Sequence, residues 1–210
     1  MAPSKSFDRK KQEKKVLVLD LDETLVHARH EMFGEDQADL SFTLVENGPN
    51  YYVKVRPGVR EFLERVSEIF NVVIFTASEK DYADKVIDFL DPKSTLISRR
   101  LYGDSGKNIP DGGYVKDLLV LEHDLAKLAI IDNYPHAYRL QKSNGIPIKS
   151  WFVDPNDEEL ASLLPFLEGL VAVEDVRPVI AERFGYYNKG GSTKKKNNAF
   201  GNLKCRGPAV

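Results

Sequence analysis

Four apolar residues, Val16-Leu17-Val18-Leu19, run directly into Asp20-Leu21-Asp22-Glu23-Thr24, and this junction limits the possible folds more than any other stretch of the chain. An uninterrupted run of β-branched residues and leucine suits a central parallel strand covered on both faces. Such sheets gather their ligands at the carboxyl ends of the strands, so Asp20 is expected at the working edge. The competing reading is ordinary turn chemistry, because aspartate is also a common turn and N-cap residue.

The rest of the chain favours the first reading. Val59, Phe62, Leu63, Val66, Ile69 and Phe70 recur at helical spacing behind the start signal Pro57-Gly58, and Val72-Val73-Ile74-Phe75 follows as a buried strand ending at Thr76. Tyr82, Val86, Phe89 and Leu90 mark a second helix closed by Asp91-Pro92, and Leu128-Ala129-Ile130-Ile131 is another apolar run ending at Asp132. Ile146 to Phe152 predicts one more strand, and Glu158 to Leu170 a helix with Pro165 at a kink or restart. This alternation predicts an α/β fold, a doubly wound and mostly parallel sheet with helices on both faces. One segment departs from it. Phe42 to Val45 and Tyr51 to Val55 flank Asn47-Gly48 and read as a β-hairpin insertion. Only about thirty residues separate Thr24 from Gly58, too few for a large helical cap, so the edge is expected to stay open.

The chain's 210 residues fit one compact α/β domain. Its net charge of -2 conceals a segregation: residues 1–15 carry six Lys/Arg against two acids and residues 188–210 six against none, leaving 18 against 30 between them. A body this acidic disfavours direct nucleic-acid binding, which needs a basic face rather than basic ends. Residues 1–14 and 188–210 offer almost nothing apolar to bury and are expected to be disordered basic segments around a catalytic domain at 15–187. They suit nuclear import or electrostatic tethering as well as plain solvation. Cys205 is the one cysteine, so no intrachain disulfide forms and a reducing compartment is expected. With no apolar leader in Met1 to Lys15 and no run near the ~20 apolar residues of a span, the expectation is an intracellular protein, nuclear or cytoplasmic, without a membrane span.

Three strands that end in Asp20, Thr76 and Asp132 would bring polar groups to one edge, and Lys116 in Gly113-Tyr114-Val115-Lys116-Asp117-Leu118 could reach it ahead of a predicted helix. Phosphoryl transfer needs these parts. A carboxylate attacking phosphorus meets electrostatic repulsion unless a metal and a cation gather the charge, and Asp20, Asp132 and Asn133 are oxygen donors of the kind Mg²⁺ takes. Asp22 could protonate the leaving oxygen, while Thr76 and Lys116 bind phosphate. Each residue alone has a plainer reading. Thr76, or Ser78 in its place, is a good cap for the next helix, Lys116 alone is a solvated lysine, and Asp132-Asn133-Tyr134-Pro135 alone is a turn. Only their ordered coincidence argues for chemistry.

In that order, Asp20-Leu21-Asp22-Glu23-Thr24, Thr76-Ala77-Ser78, Tyr114-Val115-Lys116-Asp117-Leu118 and Asp132-Asn133 resemble the four motifs of the haloacid dehalogenase superfamily, more narrowly its CTD-phosphatase branch of protein serine/threonine phosphatases. The resemblance spans about residues 15 to 185. It implies that Asp20 is nucleophile and metal ligand, and that Asp22 is the general acid/base, with its carbonyl also on Mg²⁺. It further implies that Thr24 is an orienting hydroxyl grouped with Thr76 and Lys116 around the phosphate, and that Asp132 and Asn133 serve the metal. The implied substrate is a phosphoprotein, the RNA polymerase II C-terminal domain or another; the identity of a regulatory partner is not readable from the sequence. The stretch from Trp151 to Asp157 resembles the nuclear-envelope subgroup, which carries an N-terminal membrane segment. Small CTD phosphatases place an arginine before the Gly-x-Tyr-Val-Lys motif where this chain reads Pro110-Asp111-Gly112-Gly113, leaving Lys107 or Arg100 as weak substitutes. Trp151 and Phe152 read as core aromatics.

Three rivals stand beside this reading. A phosphorelay receiver domain uses similar groups but places its lysine last, whereas Lys116 precedes Asp132. A phosphoprotein-binding scaffold without turnover would not need both Asp20 and Asp22. A small-metabolite phosphatase is disfavoured by the missing cap.

Overall fold

The computed structural model describes residues 13–33, 38–110 and 113–185. In chain order the strands are β1 (Lys15–Leu19), β2 (Val26–Arg29), β3 (Leu40–Thr43), β4 (Asn50–Val55), β5 (Phe70–Phe75), β6 (Ile97–Leu101), β7 (Lys107–Asn108), β8 (Tyr114–Val115), β9 (Leu128–Asp132) and β10 (Gly145–Pro147). The helices are α1 (Val59–Ile69), α2 (Lys80–Leu90), α3 (Glu159–Val171) and α4 (Val176–Phe184). The predicted disordered ends lie almost wholly outside the described residues, as do Cys205, Asp111 and Gly112.

Every residue of β1 is buried, and the strand lies at the centre of a five-stranded sheet in the order β10-β9-β1-β5-β6. All four pairings are parallel. Side chains alternate along a strand. Leu17 and Leu19 therefore enter one core cluster, with Ile74 and Ile131, while Val16 and Val18 enter a second with Val73, Phe75 and Ile130.

From β1 the chain moves outward to β5 and β6, then crosses to the other side for β9 and β10, so the topological switch lies beside β1. The register pairs Leu19 with Ile74 on one side and with Ile131 on the other. Asp20 N donates to Ile131 O and Thr76 N to Leu101 O, both at 3.0 Å. Three strand ends are thereby brought nearly level.

The four α-helices bury their apolar stripes in the first cluster. In α1 the stripe is Val59, Phe62, Leu63 and Val66, at helical spacing, behind Gly58, whose φ of 75° favours glycine. Burial of each such Leu or Phe contributes roughly 1.5–3 kcal/mol. The opposite face is covered differently: short 3₁₀ helices at Leu118–Leu121, Leu125–Lys127 and Arg139–Asn144 take the place of the expected α-helices there. Asp117 and Asp124 cap the starts of the first two by accepting from Leu119 N and Ala126 N, and Glu122 turns into the left-handed region (φ 53°), which stops the first turn before α-helix can propagate.

Other details also differ from the sequence pattern. The insertion is a three-stranded antiparallel sheet, β2-β4-β3, rather than a lone hairpin. Short β2, half-exposed, carries too weak an alternation to be recognised. Phe70 opens β5 instead of closing α1. The strand expected over Ile146 to Phe152 is only Gly145–Pro147, because Pro147 has no N–H to donate and the chain then turns toward the β1 loop, where Trp151 N donates to Glu23 O (2.8 Å). Pro165 lies inside a continuous α3. Among the described residues no helix is long and apolar enough to cross a membrane.

One buried carboxylate holds the α2–β6 turn together. Asp91, 1 % exposed, accepts from Thr95 N (3.0 Å), Leu96 N (2.9 Å) and Ile97 N (2.9 Å). Burial alone would raise its pKa, but the three amides outweigh that and hold it below the usual carboxylate range. Asp91→Ala should cost about 2–3 kcal/mol at neutral pH. Because the folded pKa is depressed, this contribution is present above the unfolded value of ~3.9 and lost as pH falls through the folded one. Urea unfolding at pH 7 and near pH 3 should therefore show the gap between wild type and variant narrowing in acid; an equal gap at both would contradict the assignment.

Candidate active site

At the carboxyl end of β1 the backbone reverses within a few residues. Glu23 sits in the left-handed region (φ 57°), Leu25 N returns to Leu21 O (2.8 Å) and Glu23 N meets Val26 O (2.7 Å). The reversal carries Thr24 back over Asp20: its buried hydroxyl donates to Asp20 Oδ2 at 2.8 Å and lies 3.3 Å from Asn133 Oδ1. With no exposed surface of its own, Thr24 orients Asp20.

Lys116 arrives from the crossing between β6 and β9. Its backbone N donates to Ala137 O (2.7 Å), and its ammonium bridges Asp20 Oδ1 (2.5 Å) and Asp132 Oδ2 (2.7 Å). All three side chains are nearly inaccessible. Burial would lower the Lys116 pKa, but the neighbouring Asp132 and Asp20 outweigh it and hold the amine protonated. Burial raises the Asp132 carboxyl, with Asp20 beside it acting in the same direction and Lys116 opposing.

Asp22 faces another set of partners. Tyr82 Oη donates to its Oδ1 at 2.6 Å, and Ser78 Oγ to its Oδ2 at 2.7 Å, with Thr76 Oγ1 farther off at 3.4 Å. Burial lifts the carboxyl to about 6, against the hydrogen bonds from Tyr82 and Ser78, which pull it down. That value suits a group that gives and takes protons near neutrality. The helix-cap reading fails for both hydroxyls: the N-cap of α2 is Glu79, which makes no side-chain cap bond, Ser78 N donates to Thr76 Oγ1 (3.0 Å), and the Ser78 hydroxyl is spent on Asp22.

A second layer fixes these loops. Arg56, 1 % exposed, makes a bidentate pair with Asp157 (2.6 and 2.8 Å) and donates to Thr24 O and Lys149 O (3.0 Å each). It ties the loop after β1 to the loop after β10. Ser150 Oγ, next to Lys149, accepts from Asn133 Nδ2 (2.9 Å), which leaves the Asn133 oxygen turned toward Thr24. Asp20, Asp132 and Asn133 thus present hard oxygens around a single buried ammonium, and the two carboxylates exceed its charge by one. Such a set fits Mg²⁺. Among the described residues no three His, Cys, Asp or Glu side chains form a metal cluster; this set borrows its third oxygen from an amide.

Of the residues singled out in the sequence, Asp20, Thr24, Lys116, Asp132 and Asn133 meet in one group, with Asp22 and Thr76 in an adjoining one. For Arg56, Ser78, Tyr82 and Ser150 no part in the site follows from the sequence reading. Tyr82 had a signal, lying one helical turn beyond Ser78 at the start of α2. Trp151 is core (4 % exposed) as expected, whereas Phe152 is not: it is 48 % exposed, edge-on to His27 at 5.2 Å. Neither weak substitute for the missing arginine is unengaged, since Lys107 pairs with Asp117 (2.6 Å) and Arg100 with Asp84 and Asp88 (2.8 Å each).

The family model for NLI interacting factor-like phosphatases matches residues 15–177. The chain belongs to that family. Within it, the chain is similar to CTD small phosphatase-like protein 2 of Dictyostelium discoideum, 51% identical over 173 residues that cover 81% of this chain and 30% of the relative. It is also similar to CTD nuclear envelope phosphatase 1B of Danio rerio, 41% identical over 176 residues, covering 80% of this chain and 71% of the relative. CTD small phosphatase-like protein 3 of Caenorhabditis elegans is 43% identical, with 80% of this chain and 58% of the relative covered. The chain therefore spans only 30% and 58% of the length of the two small phosphatase-like relatives. In fold it is similar to Fcp1, an essential RNA polymerase II CTD phosphatase (TM-score 0.56, 23% identity, covering 86% of this chain and 55% of that one). The fission yeast Fcp1 structure bound to beryllium fluoride has the same fold (TM-score 0.54, 23% identity, covering 82% of this chain and 55% of that one).

Proposed function

We propose that this chain is the catalytic unit of a Mg²⁺-dependent phosphoprotein phosphatase that hydrolyses phosphoserine and phosphothreonine through an aspartyl phosphate on Asp20. The observation that carries this reading is the division of labour between two carboxylates two residues apart. Asp20 is paired with Lys116 and Thr24, as an attacking carboxylate would be, and the part-buried Asp22 is held among hydroxyls, as a proton carrier would be. Family membership supports the same chemistry.

In the first step an Asp20 oxygen bonds to phosphorus as the ester P–O bond breaks, and the departing serine or threonine oxygen takes the proton of the Asp22 carboxyl. In the second step water attacks phosphorus and gives its proton to Asp22. The bond to Asp20 then breaks, and inorganic phosphate and the free carboxylate are released. Lys116 pairs with the anionic phosphoryl group as well as with Asp20, and Thr76, at the amino end of α2, hydrogen-bonds it where helix N–H groups favour an anion. Asp20, Asp132, Asn133 and the Asp22 main chain would hold Mg²⁺, which when bound supplies charge that offsets the repulsion between carboxylate and phosphate.

Among the described residues, the small β2-β4-β3 sheet is the one insertion between the β1 loop and α1. An edge left so open suits a phosphorylated segment of polypeptide better than an enclosed metabolite. The RNA polymerase II C-terminal domain and other phosphoproteins are substrates of that kind. A panel of phosphoserine and phosphothreonine peptides should be hydrolysed with Mg²⁺, lose hydrolysis in EDTA and regain it when Mg²⁺ is restored. Turnover unaffected by EDTA would remove the metal from the proposal, and binding without turnover would favour the scaffold.

A further inference from the structure

Tyr82 and Ser78 have no place in the chemistry above, yet both spend their hydroxyls on Asp22. Tyr82 Oη reaches Oδ1 at 2.6 Å and Ser78 Oγ reaches Oδ2 at 2.7 Å, so each carboxyl oxygen is held by its own donor. The partners are 60 and 56 residues from Asp22 in the chain and reach it from the segment that starts α2. The Tyr82 ring is fixed in turn: it is 6 % exposed, with its centroid 5.2 Å from that of Tyr51 and 6.1 Å from that of Phe42. A carboxyl free to rotate about χ1 and χ2 loses that freedom when one oxygen is tied to Tyr82, packed against the core in the first turn of α2, and the other to Ser78 in the turn just before it.

We infer that Tyr82 and Ser78 are positioning residues that aim the Asp22 carboxyl at the leaving oxygen, and so set how poor a leaving group the site can expel. This deepens the function proposed above and rests on it. The consequence concerns bond cleavage to the ester oxygen. A nitrophenolate departs as the anion without needing a proton, whereas an oxygen with alkoxide-like basicity must receive one as the P–O bond breaks. Loosening Asp22 therefore harms the expulsion of basic leaving groups and spares acidic ones. A purely structural role for the two hydroxyls would reduce both alike.

The test is a series of substituted phenyl phosphates of decreasing leaving-group acidity, extended by a phosphoserine peptide, measured with the full chain and Mg²⁺. The parameter is kcat/KM, which reports steps only through formation of the aspartyl phosphate. Tyr82→Phe keeps the ring and its contacts while deleting the donor; Ser78→Ala deletes the other. Each should leave p-nitrophenyl phosphate within about threefold of wild type and lower the peptide by roughly 10- to 100-fold, steepening the dependence on leaving-group acidity. Ser78→Thr, which restores a hydroxyl, should recover the wild-type slope, and inhibition by inorganic phosphate should not change. Parallel losses across the series, or no loss, would overturn the inference while leaving the proposed function standing. A wild-type chain inert toward every ester would bring down both.

Discussion

Asp20→Asn should abolish ester hydrolysis, lowering kcat by at least ~10⁴-fold, because an amide oxygen cannot form the acyl phosphate. The substitution is nearly isosteric. The amide oxygen that it introduces can still accept from Thr24, whose hydroxyl lies 2.8 Å from the native carboxylate, or from Lys116, which keeps Asp132 as its ionic partner. The native site crowds two buried carboxylates around one ammonium, so neutralising one relieves repulsion, and the stability should stay within about 1 kcal/mol of wild type. Turnover of a phosphoserine peptide alongside a thermal melt separates the two effects. A folded variant that retained more than about a hundredth of the wild-type rate would exclude Asp20 as the nucleophile.

Lys116→Ala should be the most destabilising single change in the site, costing about 3–5 kcal/mol at neutral pH as well as nearly all activity. It removes the ammonium that bridges Asp20 and Asp132, whose side chains are 9% and 2% exposed. Two carboxylates would then face each other without compensation, and at least one would take up a proton. The sign of the pH dependence follows. Burial and Asp20 already raise the Asp132 carboxyl, and losing Lys116 raises it further. A carboxyl with a folded pKa above its unfolded one binds more protons when folded, so the variant should gain stability as pH falls from 8 toward 5 and lose it as pH rises. Denaturant unfolding across that range reads the effect directly. A variant whose deficit is the same throughout would show that Lys116 is not neutralising the pair.

The frame of this site was legible because its signals are local. Val16 to Leu19, Val72 to Phe75 and Leu128 to Ile131 are continuous apolar runs, each meeting a polar residue at its carboxyl end, and all three became neighbouring parallel strands. The spacing of Val59, Phe62, Leu63 and Val66 likewise announced α1. Misreadings came where tertiary contacts override pattern. Ser78 and Thr76 look like caps until Asp22 is brought beside them. Phe152 looks like core until the loop after β10 leaves the sheet to meet Glu23. Leu118 to Lys127 has the apolar content of a helix, yet Glu122 turns into the left-handed region and Leu128 leaves in extended conformation to begin β9, so only two 3₁₀ turns form. Arg56 gave no sign of its role, because an arginine in a strand-to-helix junction is ordinarily solvated and its partner Asp157 lies 101 residues away.

The sequence by itself determined the central strands β1, β5 and β9, the helices α1, α2 and α3 and the edge at which Asp20, Thr76 and Asp132 emerge, since hydrophobic periodicity acts over a few residues and leaves its mark in a short window. Only the tertiary structure decided what those groups touch. Lys116 reaches Asp20 across 96 residues and Tyr82 reaches Asp22 across 60. Distances of a few ångströms between such remote positions are set by strand order, register and loop path, which depend on the whole chain packing at once.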